Sequence, residues 1–207
     1  CYDFDYVNSG LSFAGNSLYN QDGLIAHVNK HYNSGALNWN VKALGYTTPK
    51  SNDLVFNASG YFQGRAVPDD WIAFAFKAPA AGNYDLKIVN PVSYCGAEEV
   101  TVYILPADTR DVAAALTDAN LVGSFSCYDK TVEAEKPSLN DLRTNDLGIW
   151  TADGAGEYVL VFRCTKASEE ALACYADRLA KDPDNTRDYG SNVYVTELYM
   201  TIADEDV

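Results

Sequence analysis

Residues 70–105 read DWIAFAFKAPAAGNYDLKIVNPVSYCGAEEVTVYIL, and the fold is decided there. Trp71, Ala73 and Ala75 alternate with Ile72, Phe74 and Phe76, so both faces of that strand are apolar and expected inside. Pro79-Ala-Ala-Gly82-Asn83 then breaks the run, because proline fixes φ and glycine permits positive φ. Tyr84, Leu86 and Ile88 return at period two with polar Asp85 and Lys87 between them. After Asn90-Pro91 and Gly96, Val100, Val102 and Ile104 alternate with Thr101 and Tyr103. The spacing predicts a meander of three strands with one face in a core.

The same phrase returns further on. Gly156-Glu-Tyr158-Val-Leu160-Val-Phe162 repeats the pattern of Gly82-Asn-Tyr84-Asp-Leu86-Lys-Ile88, and each copy follows an aromatic strand and an Ala/Gly turn. Two such hairpins are expected at equivalent places in two facing sheets. Chance reuse of a common turn phrase is the alternative.

Working outward, Tyr2, Phe4 and Tyr6 alternate with Asp3 and Asp5 as a first strand. Residues 37–44, 54–57 and 121–127 read as further strands, and residues 61–69 and 130–145 as loops. Gly23 to His31 is ambiguous between strand and helix. Residues 106–116 read as a short helix favoured by its alanines. Ser168 to Lys181 reads as a second helix, with Ser168 as cap, Glu169 and Glu170 in the first turn, and Leu172, Tyr175 and Leu179 on one face. Residues 193–202 make a long last strand, expected to pair with an early one and bring the termini together. The fold class is therefore all-β, a β-sandwich with two short helical insertions. No Pro/Ser/Gly-rich linker divides the chain, so residues 1–207 are expected to form one domain.

Charge bounds the partners. A formal charge of −14 argues against a nucleic-acid backbone and against anionic lipid, both of which need lysine and arginine clusters. No apolar run reaches bilayer-spanning length, so no membrane insertion is expected. No signal peptide opens the chain, so either one was removed or these residues start inside a longer protein. The five cysteines lack zinc-site spacing. Cys95–Cys127 and Cys164–Cys174 are candidate bridges in an exported protein, leaving Cys1 over, and reduced buried thiols are the alternative. Cys1 matches the start of a bacterial lipoprotein, but CYDFDYV enters a strand pattern with no tether.

Four phrases, WIAFAFKAPAAGNYDLKIV, EEVTVYILPADTRDVAAAL, LGIWTADGAGEYVLVF and VYVTELYMTI, together resemble bacterial cell-surface modules with a galactose-binding-like jelly roll, related to carbohydrate-binding modules. They cover Asp70 to Ile202, and the N-terminal third matches loosely. The resemblance implies a jelly roll in a larger exported protein, at the cell surface or secreted. The segment from Ser168 to Gly190 departs from the pattern by lengthening the loop before the last strand.

Catalytic motifs are sparse. His27 and His31 share a face if helical, but no third ligand completes a metal-site motif. The sequence contains no G-x-S-x-G and no phosphate loop. Asp69-Asp70 is the best carboxylate pair, and a solvated turn explains it equally, so no enzyme is expected. A sugar site needs an exposed aromatic ring to stack on pyranose C–H groups, with amides, carboxylates or arginine at the rim. Three places offer that mixture: Trp39 between Asn38 and Asn40; Asn90 to Tyr94 at a strand end; and Tyr61, Gln63 and Arg65 before Asp69. For every aromatic the alternative is core packing, and Trp71 and Trp150 read as core. Asp182, Asp184, Asn185 and Asp188 place oxygen ligands at short intervals, as a structural calcium ion requires. Asn57-Ala58-Ser59 fits a glycosylation acceptor in a eukaryotic secretory pathway.

The expected function is thus a non-catalytic, extracellular carbohydrate-binding module whose partner is a glycan. The alternative is an adhesive or spacer domain whose partner is a host or cell-surface protein.

Overall fold

The computed structural model describes residues 2–6, 44–47, 54–66, 68–69, 71–78, 80–109, 112–132, 141–181 and 191–202. They form an all-β protein with short helices. The strands are β1 (Tyr2–Tyr6), β2 (Leu44–Thr47), β3 (Leu54–Ala66), β4 (Trp71–Ala78), β5 (Gly82–Pro91), β6 (Ala97–Pro106), β7 (Leu121–Phe125), β8 (Leu142–Ala152), β9 (Gly156–Ala167) and β10 (Ser191–Ile202). One helical turn, α1 (Val112–Ala115), and a 3-10 turn at Asp118–Asn120 lie between β6 and β7, and α2 (Glu169–Lys181) lies between β9 and β10.

The strands make two antiparallel sheets joined through β1, in the order β7-β6-β9-β4-β1-β2-β3-β10-β5-β8. The first sheet is β1-β2-β3-β10-β5-β8 and the second is β1-β4-β9-β6-β7. Period-two alternation does the sorting. Tyr84, Leu86 and Ile88 of the first sheet meet Val100, Val102, Ile104, Leu160 and Phe162 of the second in one buried cluster. The other parity of the second sheet is buried too. Trp71, Tyr103, Leu105, Val159 and Val161 form an outer layer capped by Val112 of α1. This second burial leaves β6 and β9 apolar on both faces over Val102–Leu105 and Val159–Phe162.

The expected meander is corrected. β4, β5 and β6 do not pair with one another: β4 pairs with β9, β5 with β10 and β8, and β6 with β9 and β7. The two repeated phrases are likewise not hairpins. Each is an arch that carries the chain from one sheet to the other, β4 to β5 and β8 to β9. The arches interlock, because the first strand of each pairs with the second strand of the other. Ala78 faces Gly156 and Gly82 faces Ala152, so both turns lie at one end of the molecule.

Four other expectations change. Tyr61 to Ala66 is strand rather than loop, held by pairing of Ala66, Arg65 and Gly64 with Ser191, Asn192 and Val193. Strand β8 begins at Leu142, inside the expected loop, because its polar residues pair with β5 from Pro91↔Leu142 onward. The expected helix over 106–116 shrinks to α1, one turn. The last strand pairs with β3, an early strand as expected, but sits between β3 and β5 rather than beside β1, so the first and last strands are not neighbours. Helix α2 starts as read, with the Ser168 hydroxyl accepting the Ala171 N–H at 3.2 Å.

Candidate functional site

At the end of the molecule where the arches turn, the edge strands of the two sheets meet and then part. Both carry a bulge at the meeting point. Leu86 faces Gly148 while Lys87 faces Asp146, so Leu147 is an extra residue in β8. Val102 faces Gly123 while Tyr103 faces Leu121, so Val122 is an extra residue in β7. Both extra side chains turn into the shared core. Backbone then lies against backbone: a Cβ on Gly123 would stand 2.1 Å from the Leu147 carbonyl oxygen, so only glycine fits. Gly148, at φ +114°, supplies the turn on the other side.

Beyond this contact the strands fork, and the fork holds a cleft of about 340 Å³. Its floor is aromatic. Trp150 stands between Tyr84 and Tyr158, with ring centroids 5.5 Å and 4.8 Å away, the second pair edge-to-face. The Tyr84 hydroxyl donates to Ala80 O at 3.0 Å and the Tyr158 hydroxyl to Gly154 O at 3.0 Å, which pins both rings to the arch turns. Leu121 and Ile149 form the apolar walls, and Ile149 is 61% exposed. Asn120, Thr151 and Asp153 stand at the rim. Asn120 donates to Ala115 O at 2.9 Å and Thr151 to Asn83 Oδ1 at 2.7 Å, so two rim side chains are held in place. Asp153 is the charged residue among the described residues lining the cleft.

A rigid aromatic floor with apolar walls and a polar rim suits a ligand with one C–H face and hydroxyls around its edge. Trp150 packs against the core cluster as the sequence leads one to expect, and it lines the cleft as well, which the sequence reading does not contain. A signal existed in Gly148, a glycine within a strand pattern, which marks a bulge, followed at once by exposed Ile149.

The residues singled out from sequence fall elsewhere. Asn90 lies on β5, fully buried, at the far end from the cleft, about 20 Å along the strand from Tyr84, the partner of Trp150, at ~3.3 Å per residue. Its amide nitrogen donates to Ser126 O at 3.0 Å and its oxygen accepts from Asn145 at 2.8 Å, so the side chain is committed within the fold. Tyr94 is half-buried in the turn after β5, its carbonyl accepting the Ser168 hydroxyl at 3.4 Å. Tyr61, Gln63 and Arg65 lie on β3, with side chains outside what is described. Asn38, Trp39, Asn40, His27, His31, Asp182, Asp184, Asn185 and Asp188 lie outside the described residues. Trp71 is core, in the outer layer under α1.

Two polar arrangements complete the electrostatics. Asp129 accepts from the Thr131 hydroxyl, the Thr131 N–H and Arg143, and these hold its carboxyl at about 2. Asp69, at φ 79°, donates its N–H to Cys164 O and pairs with Arg163, so Asp69 is a structural corner, while Asp70 lies outside the described residues. The Cys95–Cys127 bridge does not form. Cys95, Cys127 and Cys164 are buried outside any disulfide, and the Cys127 sulfur instead accepts the Tyr194 N–H at 3.2 Å. Burial pushes the Cys127 thiol up to about 12. Among the described residues no helix is long and apolar enough to cross a membrane.

No family model and no curated protein matches the chain. Solved structures similar to it share little sequence. A xanthan lyase of Paenibacillus is 13% identical at a TM-score of 0.43, over 94% of this chain and 14% of the lyase. A GH26-CBM35 β-(1,4)-mannanase of Podospora anserina is 10% identical at 0.42, over 76% of this chain and 29% of the mannanase. A cleaved adhesin domain of Lys-gingipain from Porphyromonas gingivalis is 11% identical at 0.34, over 86% of this chain and 98% of that domain. The chain thus spans under a third of the first two proteins it is similar to.

Proposed function

We propose that this chain is a non-catalytic carbohydrate-binding module, a β-sandwich of jelly-roll type displayed outside the cell by a larger bacterial surface or secreted protein. The observation that carries the reading is the forked cleft. Trp150 and Tyr158 form its floor, and Asn120, Thr151 and Asp153 line its rim. Stacking of a sugar ring on aromatic surface supplies affinity, and fixed rim groups supply orientation. One carboxylate among the described lining residues suits holding a hydroxyl, whereas glycoside hydrolysis in its usual form uses two.

The test is a glycan array probed with the folded chain, with calcium and again with a chelator, followed by calorimetric titration of the hits. Binding that weakens about tenfold in Ile149→Ala, a change at an exposed position, supports the cleft as the site. Binding lost on chelation supports a calcium ion held by Asp182, Asp184, Asn185 and Asp188. A folded chain that binds no glycan moves the function to the adhesive or spacer class.

A further inference from the structure

We infer that the cleft takes the end of an uncharged glycan, one or two pyranose rings deep, and discriminates against uronic acids and sulfated sugars. This rests on the carbohydrate-binding reading and adds two limits to it. The first is charge. Asp153 stands at the rim, Asp118 is exposed in the 3-10 turn beside Asn120, and the described lining residues include no lysine or arginine. A sugar carboxylate placed there meets like charge with no compensating donor cation, on a chain of net charge −14.

The second limit is size. At about 340 Å³ the cleft is at the small end of ligand sites. A site of that size seats a short end of a glycan rather than a running polysaccharide.

The experiment is calorimetric titration of the whole chain with neutral disaccharides (lactose, cellobiose, mannobiose and diacetylchitobiose). Aldobiuronic acids bearing a glucuronate in the terminal position serve as the charged comparators, and Asp153→Asn is run alongside. The expected result is measurable affinity for at least one neutral disaccharide and about tenfold weaker binding of its uronate counterpart. Asp153→Asn narrows that gap, and extending the neutral ligand to a hexasaccharide gains less than about threefold. Uronate binding as tight as neutral binding overturns the charge limit, and a hexasaccharide gain of tenfold or more overturns the terminal mode. Both of those outcomes leave sugar binding intact. Absence of any saccharide binding overturns this inference together with the reading beneath it.

Discussion

Tyr84 and Tyr158 occupy equivalent positions in two interlocked arches and make the same bond, each hydroxyl donating at 3.0 Å to the carbonyl four residues before it. Trp150 touches both rings. The bonds tie each strand start to its own turn, and a net intramolecular hydrogen bond contributes about 1 kcal/mol. Tyr84→Phe and Tyr158→Phe are each expected to lower stability by about 1 kcal/mol in urea titrations with unchanged m. The double mutant should show coupling of about 0.5 kcal/mol, because the two rings share Trp150. A neutral Tyr158→Phe would mean the arches are not energetically equivalent.

The seam gives a sharper contrast. Gly123→Ala drives a methyl into the Leu147 backbone, which cannot swing aside as a side chain can. A loss of about 3 kcal/mol or more is expected, the range for forced backbone displacement in a packed core. Gly154→Ala, with nothing within 4 Å of the added carbon, should stay within about 0.5 kcal/mol of the parent. Equal effects in thermal melts would show that the two sheet edges do not touch as described.

Buried thiols should be chemically silent. Cys95, Cys127 and Cys164 are expected to escape a thiol reagent at pH 8 in the native state and to react fully in denaturant, as mapped by peptide mass spectrometry. Cys127 has a further consequence. Its folded value of about 12 lies above its ordinary 9.0, so the native state holds the proton more tightly. The associated stability is present below pH 9.0 and declines as pH rises through the interval to about 12. Cys127→Ser or Cys127→Ala should flatten that alkaline decline, even if either variant is less stable at neutral pH.

Asp129 acts on the acid side with the opposite sign. Its folded value of about 2 lies below the ordinary 3.8, because the Thr131 hydroxyl, the Thr131 N–H and Arg143 favour the carboxylate. The contribution is complete above pH 3.8 and disappears as pH falls to about 2. Asp129→Asn should therefore shallow the acid limb of a stability-pH curve and leave the alkaline limb unchanged. An unaltered acid limb would mean that other carboxylates govern it.

What was legible in the sequence follows periodicity. Tyr84, Leu86 and Ile88, the Gly156 repeat, the last strand and the Ser168 cap were all readable, because alternation and capping are local. Pairing partners were not. Pro79 to Gly82 announces that the chain turns, but the same residues serve a hairpin within one sheet and an arch between two. Choosing between them depends on Ala78 meeting Gly156, a contact remote in sequence. Polar strands were missed for a related reason. Residues 61–66 and Leu142–Asn145 lack a strong apolar alternation, and their backbone pairing with β10 and β5 makes them strands. The cleft escaped because its walls come from β7 and β8, and only the bulges at Val122 and Leu147 bring those two strands together and then apart.

The contact of Gly123 with the Leu147 backbone also bears on how copies of this protein behave beside one another. The end strands of a sheet expose rows of unpaired amide and carbonyl groups, and identical molecules polymerise by matching such rows. Here the two end strands, β7 and β8, are turned toward each other, so each shields part of the other's unpaired row. Widening the seam by replacing Gly123 would therefore free two adhesive edges at once, and fibrous aggregation rather than simple unfolding would be the characteristic failure of that variant.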